Sequence, residues 1–139
     1  PDGDLAEAIL DYTARLMPEG LPKYALGVGS PSAVVRCEEM GYDIFDCVLP
    51  TRDARHQRLY CWDSESGDSL AWSYVYIQDN RYKRDPRPID PLCQCPCCRR
   101  YSRSYLHHLF AIGDTLSSRL ATIHNLYFYG RLMEKLRAR

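Results

Sequence analysis

The sequence predicts an α/β fold in which short parallel strands alternate with helices and a metal-binding segment follows. Residues 23–29 and 43–49 have the length and apolarity of buried strands, and a helical pattern that starts at Ser30 lies between them. Strand, helix and strand in succession are typical of parallel sheets. The third observation is a group of cysteines within residues 93–98, out of seven cysteines in all. Such close spacing and an odd total suit a metal better than disulfides.

Further helices and a hairpin complete the predicted elements. Ser30 has the side chain of a helix N-cap and Pro31 follows it at the first helical position, so this helix should run to Gly41. Two aromatic-rich runs on either side of a polar turn over residues 63–68 predict a hairpin. The spacing of apolar residues predicts three more helices, over residues 4–17, 101–117 and 120–136.

The composition is that of a soluble globular protein, with 45% hydrophobic and 26% charged residues. It excludes a disordered tail. The longest apolar runs, such as residues 24–28, are far shorter than the roughly 20 residues that a bilayer helix needs. We therefore expect a cytoplasmic protein with no membrane partner.

The charges are unevenly distributed, although the formal net charge is zero. Arg52, Arg55 and Arg58 lie within one short segment. A second basic cluster occupies the middle of the chain: Arg81, Lys83, Arg84, Arg87, Arg99, Arg100 and Arg103. Local basic patches can contact phosphate groups while the whole molecule stays neutral. The alternative is that these are solvated surface side chains.

A metal site is the strongest chemical signal in the residues themselves. The pattern Cys93-x-Cys95-x-x-Cys98 is followed by His124 within a predicted helix. Three thiolates and one imidazole form a closed tetrahedral shell, which is the ligand set of a structural zinc site. The sequence therefore predicts one structural Zn²⁺.

The identity of two ligands stays open at this point. Cys97 could replace one of the other thiolates, or one cysteine could be spare. His107 and His108 are closer in sequence than His124, but as neighbours on a predicted helix only one of them could face the cluster. We favour His124.

Asp46 is the candidate catalytic residue. It lies toward the end of the second predicted strand, which Pro50 should stop, and a basic loop over residues 51–55 should follow. Parallel α/β barrels present their catalytic groups at the carboxyl ends of strands. The alternative is structural, because aspartates at strand ends more often cap helices or hold arginines.

Four stretches, in order, resemble the tRNA-guanine transglycosylases of the bacterial and eukaryotic queuine type. They are Tyr24-Ala25-Leu26-Gly27-Val28-Gly29-Ser30-Pro31, the Phe45–Arg55 segment around Asp46, Pro88-Ile89-Asp90-Pro91 with the cysteines that follow, and Tyr101-Ser102-Arg103-Ser104-Tyr105-Leu106 continuing to His124-Asn125-Leu126. The resemblance covers most of the chain from Tyr24 onward.

This resemblance implies the C-terminal part of a TIM-like (β/α)8 barrel with an inserted zinc-binding subdomain and C-terminal helices. Residues 1–56 would be the last βα units with the nucleophile loop, and residues 57–139 the hairpin, zinc-binding subdomain and C-terminal helices. A complete barrel needs about 250 residues. We therefore expect a fragment that lacks the general acid/base aspartate and the carboxylate that recognises the base.

The activity implied by the resemblance is exchange of guanine at the tRNA wobble position for a 7-deazaguanine. Asp46 would be the nucleophile that forms a covalent aspartyl-ribose intermediate. The expected partners are a tRNA anticodon loop with G at the wobble position, the 7-deazaguanine base, and a homodimer mate or homologous subunit. The alternative function is a catalytically silent module that binds zinc and RNA, or a partner subunit.

The resemblance also assigns residues to each binding role. Tyr24, Leu26 and Gly27 would bind the base, and Cys93, Cys95, Cys98 and His124 the zinc. The residues implied in RNA binding are Gly27, Val28, Gly29, Ser30, Pro31, Ser32, Ala33, Thr51, Arg52, Asp53, Ala54 and Arg55. The chain departs from the family pattern at Gln57, where the family has Gly, and by extra residues that we place in the turn over residues 63–68.

Overall fold

The computed structural model describes residues 5–63 and 70–139. It has two compact units, divided between Leu49 and Pro50. The first contains α1 (Glu7–Leu16), β1 (Tyr24–Ala25), α2 (Pro31–Glu39) and β2 (Ile44–Phe45). The second contains α3, which begins at the boundary (Leu49–Arg55), β3 (Arg58–Trp62), β4 (Trp72–Tyr76), α4 (Pro96–Arg100), α5 (Arg103–Ala111) and α6 (Thr115–Arg137).

The two strands of the first unit are parallel, as the sequence predicts. Tyr24 lies opposite Ile44 in the register of β1 and β2. Each strand is only two residues long. After β1 the chain turns at Gly27, which has a left-handed φ of 73°. The fold is mixed α/β, and the described residues form two separate two-stranded sheets.

Helix α1 forms where the sequence predicts a helix, but it buries a different face from the apolar one on which the prediction was based. Ala14 is buried, and Leu10 and Met17 pack beside it against Ala25, Cys37 and Tyr42. Ile9, Tyr12 and Leu16 carry the helical spacing in the sequence, yet each is at least 65% exposed. Periodicity alone identifies a helix here and not the side that it packs.

The start of α2 follows the predicted capping. The Ser30 hydroxyl accepts a hydrogen bond from the Ala33 N–H at 3.3 Å, and Pro31 is the first helical residue. Pro31 loses nothing by having no N–H, because the first turn of a helix has no internal acceptors for its N–H groups.

The second unit is built on the predicted hairpin. Strands β3 and β4 are antiparallel, with Arg58 opposite Tyr76 and Trp62 opposite Trp72. Its core joins Leu59, Val75 and Ile77 to the inner faces of α5 and α6. Most of the turn predicted over residues 63–68 lies outside the described residues.

Two element boundaries differ from the sequence prediction. Residues 51–55, predicted as a loop, belong to α3, and Leu49, predicted as strand, is its first residue. Pro50 is therefore a helix-starting proline and not a strand stop. The last two helices, predicted to be separated after residue 117, are instead separated by residues 112–114. The Asp114 carboxylate caps α6 there by accepting the Leu116 N–H at 2.8 Å. No helix within the described residues is long and apolar enough to cross a bilayer.

Gln57 has a left-handed φ of 66°, and no other non-glycine residue in the described part of the chain has a positive φ. It follows α3, and its N–H donates to the Ala54 carbonyl at 3.0 Å. Such a position at a helix end favours glycine, because a Cβ is strained there by about 1 kcal/mol. We expect Gln57→Gly to raise the free energy of unfolding by about that amount in urea titrations. Gln57→Ala is the control, since it removes the side chain but keeps the Cβ, and an equal gain in Gln57→Ala would exclude backbone strain as the cause.

Candidate metal centre and active site

The four predicted metal ligands meet in the interior of the second unit. The ligand atoms of Cys93, Cys95, Cys98 and His124 all lie within 4.8 Å of one another, and all four residues are buried. The Cys95 sulfur also caps α4, because it accepts the Cys98 N–H at 3.3 Å. The short helix α4 thus places Cys95 and Cys98 on the same side of one turn, while α6 supplies His124.

The hydrogen bonds of His124 leave one ring nitrogen available to a metal. Nε2 lies 2.7 Å from the Tyr60 carbonyl oxygen, and a carbonyl can only accept, so Nε2 carries the proton. Nδ1 is the other ring nitrogen, and it faces the sulfurs of Cys95 and Cys98 at 3.7 and 3.3 Å. Zinc bonds of about 2.3 Å to sulfur and about 2.0 Å to nitrogen require separations of this size in a tetrahedron. The residues present fit Zn²⁺.

The competing ligands lie outside this group. Cys97 is buried, but among the described residues it is not part of the group whose ligand atoms converge. Neither His107 nor His108 belongs to a cluster of possible metal ligands among the described residues. The structure therefore brings together the set that we favoured from the sequence.

Asp90 supports the metal centre, a role that the sequence analysis did not predict. It is 1% exposed. Its carboxylate accepts the Leu92 N–H at 2.7 Å and the Trp62 N–H at 3.1 Å, and its carbonyl accepts the Cys93 N–H at 3.2 Å. These bonds form the turn that leads into Cys93 and attach it to β3. The available sequence signal was the Asp90-Pro91 pair, which favours a turn.

Asp46 stands directly after β2 and beside the turn that ends β1. Its Oδ1 accepts the Gly27 N–H at 2.9 Å, and the Tyr24 hydroxyl donates a second hydrogen bond to the carboxylate. These two bonds hold the pKa of Asp46 below its ordinary value, and the bond from the Gly27 N–H has the larger effect. The hydrogen bond to Asp46 in turn raises the pKa of Tyr24. The result is an exposed carboxylate that is ionised at neutral pH.

Two of the three residues predicted to bind the base contact this carboxylate. Tyr24 and Gly27 contact it directly, and Leu26 lies between them in the chain with its side chain 77% exposed. At Gly29 an added Cβ would collide with the side chain of Cys47. Only glycine permits this close approach between the segments that follow β1 and β2.

The residues predicted to bind RNA fall on two segments. Those from Gly27 to Ala33 form the turn after β1 and the first turn of α2, where Gly29 and Pro31 are buried. Those from Thr51 to Arg55 lie on α3, where Arg52 and Arg55 are exposed and Ala54 is buried. Asp53 is 2% exposed, and its carboxylate accepts hydrogen bonds from Arg58 and Tyr60. The Asp53 carboxylate is therefore satisfied inside the protein.

Comparison with known proteins shows the family of this chain. The model of the family described as queuine tRNA-ribosyltransferase matches residues 3–139. A queuine tRNA-ribosyltransferase of Dichelobacter nodosus is 43% identical over 134 residues, which are 96% of this chain and 34% of that protein. One from Aromatoleum aromaticum is 45% identical over 138 residues, 99% of this chain and 35% of the relative. The chain thus spans about a third of the length of these relatives, and it belongs to the queuine tRNA-ribosyltransferase family.

Proposed function

We propose that this chain carries the nucleophile, part of the base site, an RNA-binding helix and the structural zinc site of a tRNA-guanine transglycosylase. The observation that carries the proposal is the Asp46 carboxylate, which is exposed, ionised and held by Gly27 and Tyr24. A carboxylate oriented in this way is a competent nucleophile toward an anomeric carbon. The parent enzyme would exchange guanine at the wobble position for a 7-deazaguanine.

The proposed reaction has two displacements at ribose C1′. An Asp46 oxygen attacks C1′ and guanine leaves with the electrons of the glycosidic bond, which gives an aspartyl-ribose ester. The incoming 7-deazaguanine, deprotonated at its ring nitrogen, then attacks C1′ and releases the carboxylate. Two inversions retain the configuration, as in retaining glycosidases. The Gly27 N–H and the Tyr24 hydroxyl hold the carboxylate in position before attack and receive it again after release.

The metal and the arginines serve binding and folding in this proposal. A zinc ion held by Cys93, Cys95, Cys98 and His124 would stabilise the second unit, because the free energy of binding such a metal is folding free energy. Arg52 and Arg55 would contact the anticodon loop, from which the target base has to be unstacked to reach Asp46.

The remainder of the active site would come from outside this chain. A TIM-like barrel takes about 250 residues, and the proton donor for guanine would belong to that other part. The first unit exposes apolar side chains that such a part, or a homologous subunit in a dimer, could cover: Ile9, Tyr12, Leu16, Leu21, Ile44 and Val48. The alternative of a silent zinc and RNA-binding module rests on the same fact, that the chain covers only about a third of its relatives.

RNA binding is tested with an anticodon stem-loop RNA that has G at the wobble position. We expect Arg52→Ala and Arg55→Ala each to weaken binding about tenfold, or roughly 1.4 kcal/mol. Each should also reduce the slope of log K against log salt by about 0.7, because one phosphate contact is lost. Fluorescence anisotropy across a salt series measures both quantities.

Arg119→Ala is the matched control, because Arg119 is an exposed arginine on a different helix, α6. Equal losses in all three variants would mean that the protein attracts RNA only through its general charge, and would refute a specific role for α3.

A further inference from the structure

Helix α3 is attached to strand β3 by buried polar side chains that the proposed mechanism does not use. Asn125 on α6 is fully buried. Its Nδ2 donates to the Pro50 carbonyl at 3.0 Å and to the Arg58 carbonyl at 3.0 Å. Its Oδ1 accepts the Tyr60 N–H at 3.3 Å. One amide group therefore ties the first turn of α3 to β3.

Asp53 makes a second connection, in the middle of α3. The Arg58 guanidinium donates to its carboxylate through Nε at 3.1 Å and through Nη2 at 2.8 Å. The Tyr60 hydroxyl donates to the same carboxylate. Burial and this bond to Asp53 raise the pKa of Tyr60, so the hydroxyl remains a donor.

Tyr60 also connects this network to the metal centre. Its carbonyl accepts the Nε2 proton of His124 at 2.7 Å, and the other nitrogen of that ring faces the cysteines. Residues 58–60 of β3 are thus a common anchor for α3, for Asn125 and for the metal ligand His124. The clamp, as we call it, consists of Asp53, Arg58, Tyr60 and Asn125.

Helix α3 is too short to be stable without the clamp. Helix α3 has seven residues, whereas isolated helices shorter than about 12 residues are marginal in water. Its order and orientation must come from tertiary contacts. Arg52 and Arg55, which flank Asp53 on the same helix, are exposed and depend on that orientation to point in a fixed direction.

We propose that Asp53 and Asn125 are positioning residues that hold α3 so that Arg52 and Arg55 meet RNA in a preformed arrangement. The RNA part of this proposal rests on the proposed function. The clamp itself does not, because it concerns the order of α3 in the free protein.

The decisive variant is Asp53→Asn, because the two explanations predict opposite changes in affinity for RNA. If Asp53 only contributes charge, its removal beside Arg52 strengthens attraction for RNA. If it positions α3, the same variant weakens binding of the stem-loop RNA by about fivefold or more. Asp79→Asn is the matched control: Asp79 is an exposed carboxylate paired with Arg81 in the same unit, and its loss reports the general effect of one charge. Binding by Asp53→Asn that is unchanged, or tighter as in the control, overturns the proposal.

Amide hydrogen exchange tests the clamp without RNA. We expect Asp53→Asn and Tyr60→Phe to increase exchange over residues 53–57 at least tenfold while the β3 amides keep their protection. Tyr60→Phe keeps the ring and should fold as the parent does. Asn125→Asp, which replaces two donated hydrogen bonds by oxygen-oxygen contacts, should open the first turn of α3. Unchanged exchange in all three variants refutes the clamp, whereas a parent chain that fails to bind the RNA refutes only the proposed RNA contacts.

Discussion

Replacing Asp46 by Asn is expected to abolish the covalent protein-RNA adduct and lower base exchange by about 10³-fold or more in a full-length family member that carries this segment. The amide oxygen of Asn can still accept the Gly27 N–H and the Tyr24 hydroxyl, so local structure should survive. An amide is not a nucleophile at C1′. Denaturing gels of enzyme incubated with tRNA detect the adduct, and binding of tRNA should persist because Arg52 and Arg55 are unchanged.

Asp43→Asn is a closely matched control. Asp43 is also exposed, and its carboxylate accepts a backbone N–H, that of Lys23, at 2.8 Å. The control should form the adduct normally. Retention of the adduct in Asp46→Asn would show that another carboxylate is the nucleophile and that Asp46 is structural.

The pH dependence of stability has a definite sign at Asp46. Because its pKa is lowered in the folded state, Asp46 stabilises the fold above about pH 4 and loses that contribution as the pH falls further.

Cys95→Ser is expected to remove the metal and most of the stability of the second unit. Structural zinc sites contribute an apparent 10–16 kcal/mol in zinc-finger peptides at pH 7, about the whole stability of a small domain. Cys95 both faces His124 and caps α4, so its loss affects the site and the helix together. Elemental analysis should fall from about one zinc per chain to near zero, and the thermal unfolding transition should shift or vanish.

Cys97→Ser separates metal loss from the general cost of altering a buried cysteine. Cys97 is as buried as Cys95, within the same core, but is not a member of the ligand group. We expect it to keep the zinc and to lose about 1–3 kcal/mol of stability through burial of a hydroxyl. A well-folded Cys95→Ser protein without metal would refute the structural role of the site.

The elements that depend on local chemistry could be predicted from the sequence. The cap at Ser30, the parallel pairing around α2 and the hairpin after Gln57 all arise within short stretches of chain. The spacing of Cys93, Cys95 and Cys98 is local too, because one turn of α4 joins the last two. The sequence did not predict the helix at Leu49–Arg55. Pro50 has no N–H to donate, and this property fits the end of a strand as well as the first turn of a helix.

The sequence by itself determined which residues are chemically able to act: Asp46 at the end of a strand, three closely spaced thiols, and a basic segment after Pro50. Only the tertiary structure decided which of them are used together. His124 rather than His107 or His108 faces the cysteines because α6, and not α5, passes the metal centre. Asp53 became part of the clamp because Arg58 and Tyr60 on the hairpin fold back onto it. Such contacts depend on the arrangement of elements in space, which the periodicity of a single segment does not encode.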